Sequence, residues 1–176
     1  MKNEKIIICG GSGSGKDYLL RGLIKKGEKY SPKITTRPIR KGEKNGVDYI
    51  YTTNEDFDYL MGENQHLIKC FQKFEIKGDN WYYYITQENF DNNNVFIMTP
   101  HELSFLTREE RKGCFVIYLD IDEDTRRKRI SRRNDNQDSV ERRILADKED
   151  FFFFKNYDMK VSDSEFEIDM IYGFAF

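Results

Sequence analysis

Apolar residues arrive in short unbroken runs near the start of the chain and again between positions 95 and 119, with looser patterns between. Lys5-Ile6-Ile7-Ile8-Cys9, Val95-Phe96-Ile97-Met98 and Phe115-Val116-Ile117-Tyr118-Leu119 do not alternate with polar residues, which marks strands buried on both faces. Behind the first run lies a glycine-rich turn. Tyr18, Leu19, Leu20, Leu23 and Ile24 then recur at helical spacing, and a second helix is predicted over residues 101–112. Strands alternating with helices predict βαβ units around a parallel sheet.

Residues 30–90 break that rhythm. Shorter strands are predicted near 48–52, 67–74 and 80–86, with turn chemistry at Lys77-Gly78-Asp79-Asn80. This stretch reads as a small, partly antiparallel insertion (about 34–90) beside a core made of about 1–33 and 91–176, all within one domain. Two further helices, at 125–133 and 139–156, flank the polar linker Asn134-Asp135-Asn136-Gln137-Asp138, and a last strand is expected at 158–162. The cluster Phe151-Phe152-Phe153-Phe154 reads as helix packed into the core.

Composition narrows the function classes. At 176 residues the chain is one domain's length. Twenty-nine Lys+Arg against thirty-one Asp+Glu leave a net charge of −2, without the basic excess of a nucleic-acid binder. No apolar run is long enough to cross a bilayer, so no membrane partner is expected. Cys9, Cys70 and Cys114 lie far apart without a Cys-x-x-Cys pair, which suits buried thiols in a reducing cytoplasm. With only His66 and His101, the chemistry must work without a histidine triad.

Gly10-Gly11-Ser12-Gly13-Ser14-Gly15-Lys16-Asp17 fits G-x-x-x-x-G-K. Glycines let successive N–H groups curl around phosphate oxygens, Lys16 reaches terminal phosphates, and the helix behind adds its positive end. A glycine-rich turn with an incidental lysine would share the composition but not the buried strand before it and the amphipathic helix after it. Asp17 stands where a Ser or Thr hydroxyl normally ligates Mg²⁺. Two readings stand: a carboxylate ligand to the ion, or an acidic residue favoured at a helix start.

The run from Thr35 to Tyr49, Thr-Thr-Arg-Pro-Ile-Arg-Lys-Gly-Glu-Lys-Asn-Gly-Val-Asp-Tyr, carries Arg37, Arg40, Glu43 and Tyr49. Guanidinium forks and a tyrosine hydroxyl suit a second phosphate-bearing ligand, although such composition alone is equally a solvated loop. Arg126-Arg127-Lys128-Arg129, with Arg132 and Arg133, reads first as a solvated helix face, with nucleic-acid contact as the alternative. The pattern T-T-R-x-x-R-x-G-E-x-x-G-x-D-Y, matched here without a gap, resembles the guanylate kinase family. That resemblance implies a P-loop NTPase-type α/β fold: a parallel sheet flanked by helices, a mixed, partly antiparallel monophosphate-binding insertion, and a helical lid at about 126–143. It implies transfer of the γ-phosphate of ATP to GMP or dGMP, with Mg²⁺. Gly11, Ser12, Gly13, Ser14, Gly15, Lys16 and Asp17 would then meet ATP, joined by the lid residues Arg129, Arg133 and Arg143. Arg37, Arg40, Tyr49 and Tyr82 would hold the acceptor phosphate, with Glu43 beside them. Lys16, Arg37, Arg40, Arg133 and Arg143 would carry catalysis through positioned charge. The expected partners are ATP and a nucleoside monophosphate, with the protein a monomer or homodimer.

The base-reading positions depart from the family. Lys69 falls where the family places a Glu that accepts from guanine, Tyr82-Tyr83-Tyr84 replaces Tyr-Gly-Ser, and Met98-Thr99-Pro100 replaces Asp-x-Asp. Lysine only donates, and a buried polar edge left unpartnered costs about 1–3 kcal/mol. A donor at 69 suits a base presenting acceptors, such as a pyrimidine or modified pyrimidine, with Tyr84 stacking on it or filling space. A slipped register that makes Glu75 the acceptor is the other explanation. GMP or dGMP remains the default substrate. A catalytically inactive binding module, and a P-loop kinase acting on a non-nucleotide phosphate ester, are the other classes.

Overall fold

The computed structural model describes residues 4–132 and 138–175. In chain order its elements are β1 (Lys5–Gly10), α1 (Lys16–Lys25), β2 (Ile34–Thr35), β3 (Ile50–Tyr51), α2 (Asn54–Gly62), β4 (Ile68–Ile76), β5 (Asp79–Thr86) and α3 (Gln87–Asn92). They continue with β6 (Val95–Ile97), α4 (Pro100–Leu103), α5 (Arg108–Lys112), β7 (Cys114–Leu119), α6 (Glu123–Arg132), α7 (Val140–Phe151), β8 (Met159–Val161) and α8 (Ile168–Ala175). Two units separate: Met1–Tyr30 with Asn94–Phe176, and Ser31–Asn93.

In the first unit a parallel sheet runs in the order β6-β1-β7-β8. The three unbroken apolar runs form three of its strands, with β1 and β7 in the middle. Ile7 pairs with Phe96 on one side and Val116 on the other, and Ile6, Ile7 and Ile8 are fully buried. Leu19, Leu20 and Leu23 of α1 close over one face with Phe166 and Ile171. Burying side chains of this size stabilises by about 1.5–3 kcal/mol each. The helix predicted over 101–112 is two helices. Thr99 and Thr107 each accept from the backbone of a glutamate three residues on (Glu102, Glu110), which caps two separate starts. The phenylalanine cluster also divides. Phe151 stacks on Tyr118 at 5.1 Å and Phe154 meets that ring edge-on, while Phe152 and Phe153 are 74% and 81% exposed.

In the second unit the sheet order is β3-β2-β5-β4, with β2 and β3 parallel and the other pairs antiparallel. Lys77 and Gly78 turn the β4–β5 hairpin at φ 53° and 89°, the left-handed backbone of a tight hairpin turn. Phe57 of α2 packs on Phe71, Tyr82 and Tyr84. Helix α2 starts at a capping box between Thr53 and Asp56, a local signal embedded in a stretch read as strands. The three cysteines are free and buried. No helix among the described residues is long and apolar enough to cross a membrane.

Candidate active site

The glycine-rich loop connects the C-terminal end of β1 to α1. Gly13 and Gly15 hold φ of 76° and 99°, where other residues are strained, and these reversals curl the chain before the helix. Lys16 Nζ folds back onto Gly10 O at 2.7 Å and Gly11 O at 2.8 Å. The Ser14 hydroxyl is fully buried within the loop and, among the described residues, has no hydrogen-bond partner. Asp17 sits exposed in the first turn of α1. No three His, Cys, Asp or Glu side chains gather as a metal cage among the described residues.

Of the expected lid arginines, Arg129 reaches the loop, donating to Gly13 O at 3.3 Å and to Ser164 O at 3.0 Å. Arg143 is buried and its Nε donates to Asp138 at 3.1 Å, on a carboxylate that Arg142 also grips. Burial alone would raise Asp138, but the hydrogen bond and charge of Arg142 and the charge of Arg143 outweigh it and hold it below the usual carboxylate range. Arg133 lies outside the described residues, as does most of the polar linker.

Within the second unit, the Thr35–Tyr49 motif folds around one arginine. Thr36 N–H donates to Tyr82 O at 3.0 Å, and its hydroxyl accepts from Tyr82 N–H at 3.0 Å. This fastens the motif to β5 and fixes the start of Arg37. Arg37, 2% exposed, is held by Glu43 through both terminal nitrogens, at 2.8 and 2.6 Å. Glu43 also accepts from Arg40 N–H at 2.8 Å and from the Tyr51 hydroxyl at 2.6 Å. Burial would raise the Glu43 carboxyl. The hydrogen bonds from Arg37, Tyr51 and Arg40 overcome it and bring the carboxyl to about 2. The Arg37 guanidinium lies 4.8 Å from the Tyr49 ring centre and 5.5 Å from that of Tyr51. Its Nε is buried, with no partner among the described residues.

The tyrosine that completes this cluster is Tyr83. Its ring meets Tyr49 edge-on at 5.7 Å, and burial, with Tyr49 beside it, pushes its hydroxyl up to about 12 against the pull of Arg37 and Arg40. Tyr82 lies on the other face of β5, stacked on Phe57 at 4.1 Å. Tyr84 shares that face and is 2% exposed, so it fills the interior of this unit and presents no ring for a base to stack on. Expectation and structure differ by one strand position, and side chains one position apart point to opposite faces. Tyr51 was also missed, although its two-residue spacing from Tyr49 places both on one face of an extended segment. Lys69 is the extra residue where the β4–β5 register shifts between Ile68 and Cys70, and its ammonium lies 5.1 Å from the Phe90 ring centre. Glu75 pairs with Asn80 near the hairpin tip, exposed.

The sequence profile of guanylate kinase matches residues 2–171. The chain belongs to the guanylate kinase family. It is 26% identical to a guanylate kinase of Rubrobacter xylanophilus, over 94% of this chain and 88% of that one. It is 27% identical to a guanylate kinase of Bacillus subtilis, over 92% of this chain and 81% of that one. The fold is similar to the crystal structure of guanylate kinase from Anaplasma phagocytophilum, with a TM-score of 0.63 at 20% identity, over 99% of this chain and 85% of that one. Membership makes this guanylate kinase-like protein a phosphotransferase.

Proposed function

We propose that the protein is an ATP-dependent nucleoside monophosphate kinase whose acceptor is GMP or dGMP. The observation that carries this reading is the Arg37–Glu43 pair with Arg40, Tyr49, Tyr51 and Tyr83 around it, in a family whose members transfer phosphoryl groups. Arg40, Tyr49 and Tyr83 hold the acceptor phosphate, and Glu43 keeps Arg37 charged and fixed beside them. Loop amides, the orphaned Ser14 hydroxyl and Lys16 hold the donor phosphates, and Arg129 adds charge at Gly13. An acceptor phosphate oxygen attacks the γ-phosphorus, the bond to the β–γ bridging oxygen breaks, and ADP leaves with that electron pair. No protonatable base is needed, which suits a site without histidine.

The donor set fits Mg²⁺ held mainly by nucleotide phosphates, with the Asp17 carboxylate in the first turn of α1 as a protein oxygen. Bound there, the ion would neutralise charge on the β- and γ-phosphates. Lys16 and the loop amides would orient those phosphates, and Asp17 would hold the ion beside them.

A second reading keeps the reaction and changes the base, favoured by Lys69 at a bulge and by Tyr84 taking up interior space. ADP release measured with GMP, dGMP, AMP, CMP, UMP and dTMP, with and without Mg²⁺, tests both. Preference for GMP or dGMP supports the first reading, and preference for a pyrimidine supports the second. Activity with none of the six contradicts the kinase reading and favours a binding module.

A further inference from the structure

Helices α6 and α7 meet the phosphate loop through an ion pair that the motif does not announce. Asp147 of α7 accepts the Ser12 N–H at 2.8 Å, and Arg126 of α6 donates to the same carboxylate at 2.7 Å. Arg126 also donates to Ser12 O at 3.4 Å and to Ile121 O at 3.1 Å. Both side chains are nearly buried, 11% and 15% exposed. A bare carboxylate here would repel an anionic ligand, but paired with Arg126 it adds no net charge. The loop is shaped to admit the pair. A Cβ on Gly11 would run into Arg126 Nη1 and come within 2.9 Å of Asp147 Oδ2, and one on Gly13 would come within 2.7 Å of Arg126 O.

The peptide between Gly11 and Ser12 converts this contact into a constraint on chemistry. A trans peptide is planar, with its N–H and C=O pointing in opposite directions. Holding the Ser12 N–H on Asp147 therefore turns the Gly11 carbonyl the other way. That carbonyl accepts from Lys16 Nζ at 2.8 Å and from Ser14 N–H at 3.2 Å. We infer that Asp147, aimed by Arg126, is a positioning residue that sets the place of Lys16 through the Gly11–Ser12 peptide. Asp147 acts through this peptide, its carboxylate being taken up by Ser12 and Arg126. It fixes the peptide against which the lysine rests before it engages phosphate. The inference rests on the kinase reading, in which Lys16 meets the transferring phosphoryl group.

Asp147→Asn tests it at constant size. An amide can accept from only one of Ser12 N–H and Arg126 while its NH₂ faces the other donor. A small displacement of a catalytic group costs up to about a hundredfold, so kcat should fall tenfold to a hundredfold. The acceptor KM should stay within about twofold, because the loss falls on transition-state contacts, while the melting temperature falls as the nearly buried Arg126 loses its counter-charge. Should Asp147→Asn fail to fold, Arg126→Lys keeps the charge but not the fork, and it should lower kcat in the same way. A folded variant with wild-type kcat, or one whose loss lies wholly in the acceptor KM, overturns the positioning role while leaving the kinase reading intact. A wild-type protein inactive on all six monophosphates overturns the kinase reading, and this inference with it.

Discussion

Glu43 grips Arg37 fork to fork, each terminal guanidinium nitrogen on its own carboxylate oxygen at 2.8 and 2.6 Å. The partners are six positions apart. The chain between them turns so that Arg40 N–H and the Tyr51 hydroxyl reach the same carboxylate. A cation this deeply buried is tolerable only when it is paired and hydrogen-bonded. The glutamate is therefore a structural requirement of the arginine.

Replacing that carboxylate by an amide should expose the dependence. Glu43→Gln is expected to lower stability by about 1–3 kcal/mol, because a buried charged donor loses its counter-charge. Chemical denaturation would measure it, and an unchanged midpoint would contradict the pairing.

The same carboxylate makes stability depend on acid. Its folded value of about 2 lies below its ordinary 4.5, so the folded state favours the ionised form. That stabilisation is complete above about 4.5 and disappears as pH falls through about 2. Asp138, held low by Arg142 and Arg143, acts in the same direction. Melting temperature followed across this window should fall less steeply in Glu43→Gln than in the wild type.

Two neighbouring tyrosines should separate cleanly. Tyr83→Phe removes a hydroxyl lying among Arg37, Arg40 and Tyr49, and should raise the acceptor KM by about tenfold, the value of one hydrogen bond to a charged group. Tyr82→Phe keeps the ring that stacks on Phe57 and should leave the acceptor KM nearly unchanged. The reverse ranking in steady-state assays would put β5 in the opposite phase.

Lys16→Ala should leave the fold intact, since the lysine makes its contacts on the loop and not in the sheet. Turnover should fall by at least a hundredfold, the scale for losing one positioned donor at a developing charge. Circular dichroism and ADP release on one preparation would check both halves.

What could be read directly were features written in contiguous residues. The apolar runs that became β1, β6 and β7 need burial on both faces whatever surrounds them, and the loop carries its own conformational demands in Gly13 and Gly15. The two threonines before Arg37 were legible as part of a motif, but their grip on Tyr82 was not, because that bond joins residues far apart in sequence. The short helices were harder. Thr99 and Thr107 carry capping signals, but a four- or five-residue helix has too little periodicity to stand out from its neighbours.

By itself, then, the order of residues determined the family, the parallel sheet and the glycine-rich strand-to-helix loop, and it singled out Arg37 as a candidate phosphate ligand, since each follows from local pattern. Tertiary structure decided which tyrosine faces that cation, that Tyr84 is interior, and that Asp147 and Arg126 meet at Ser12. These depend on hairpin register and on helices more than a hundred positions from the loop packing against it. A one-residue slip reverses a strand's faces, and a long-range ion pair exists only after the intervening chain has closed around it.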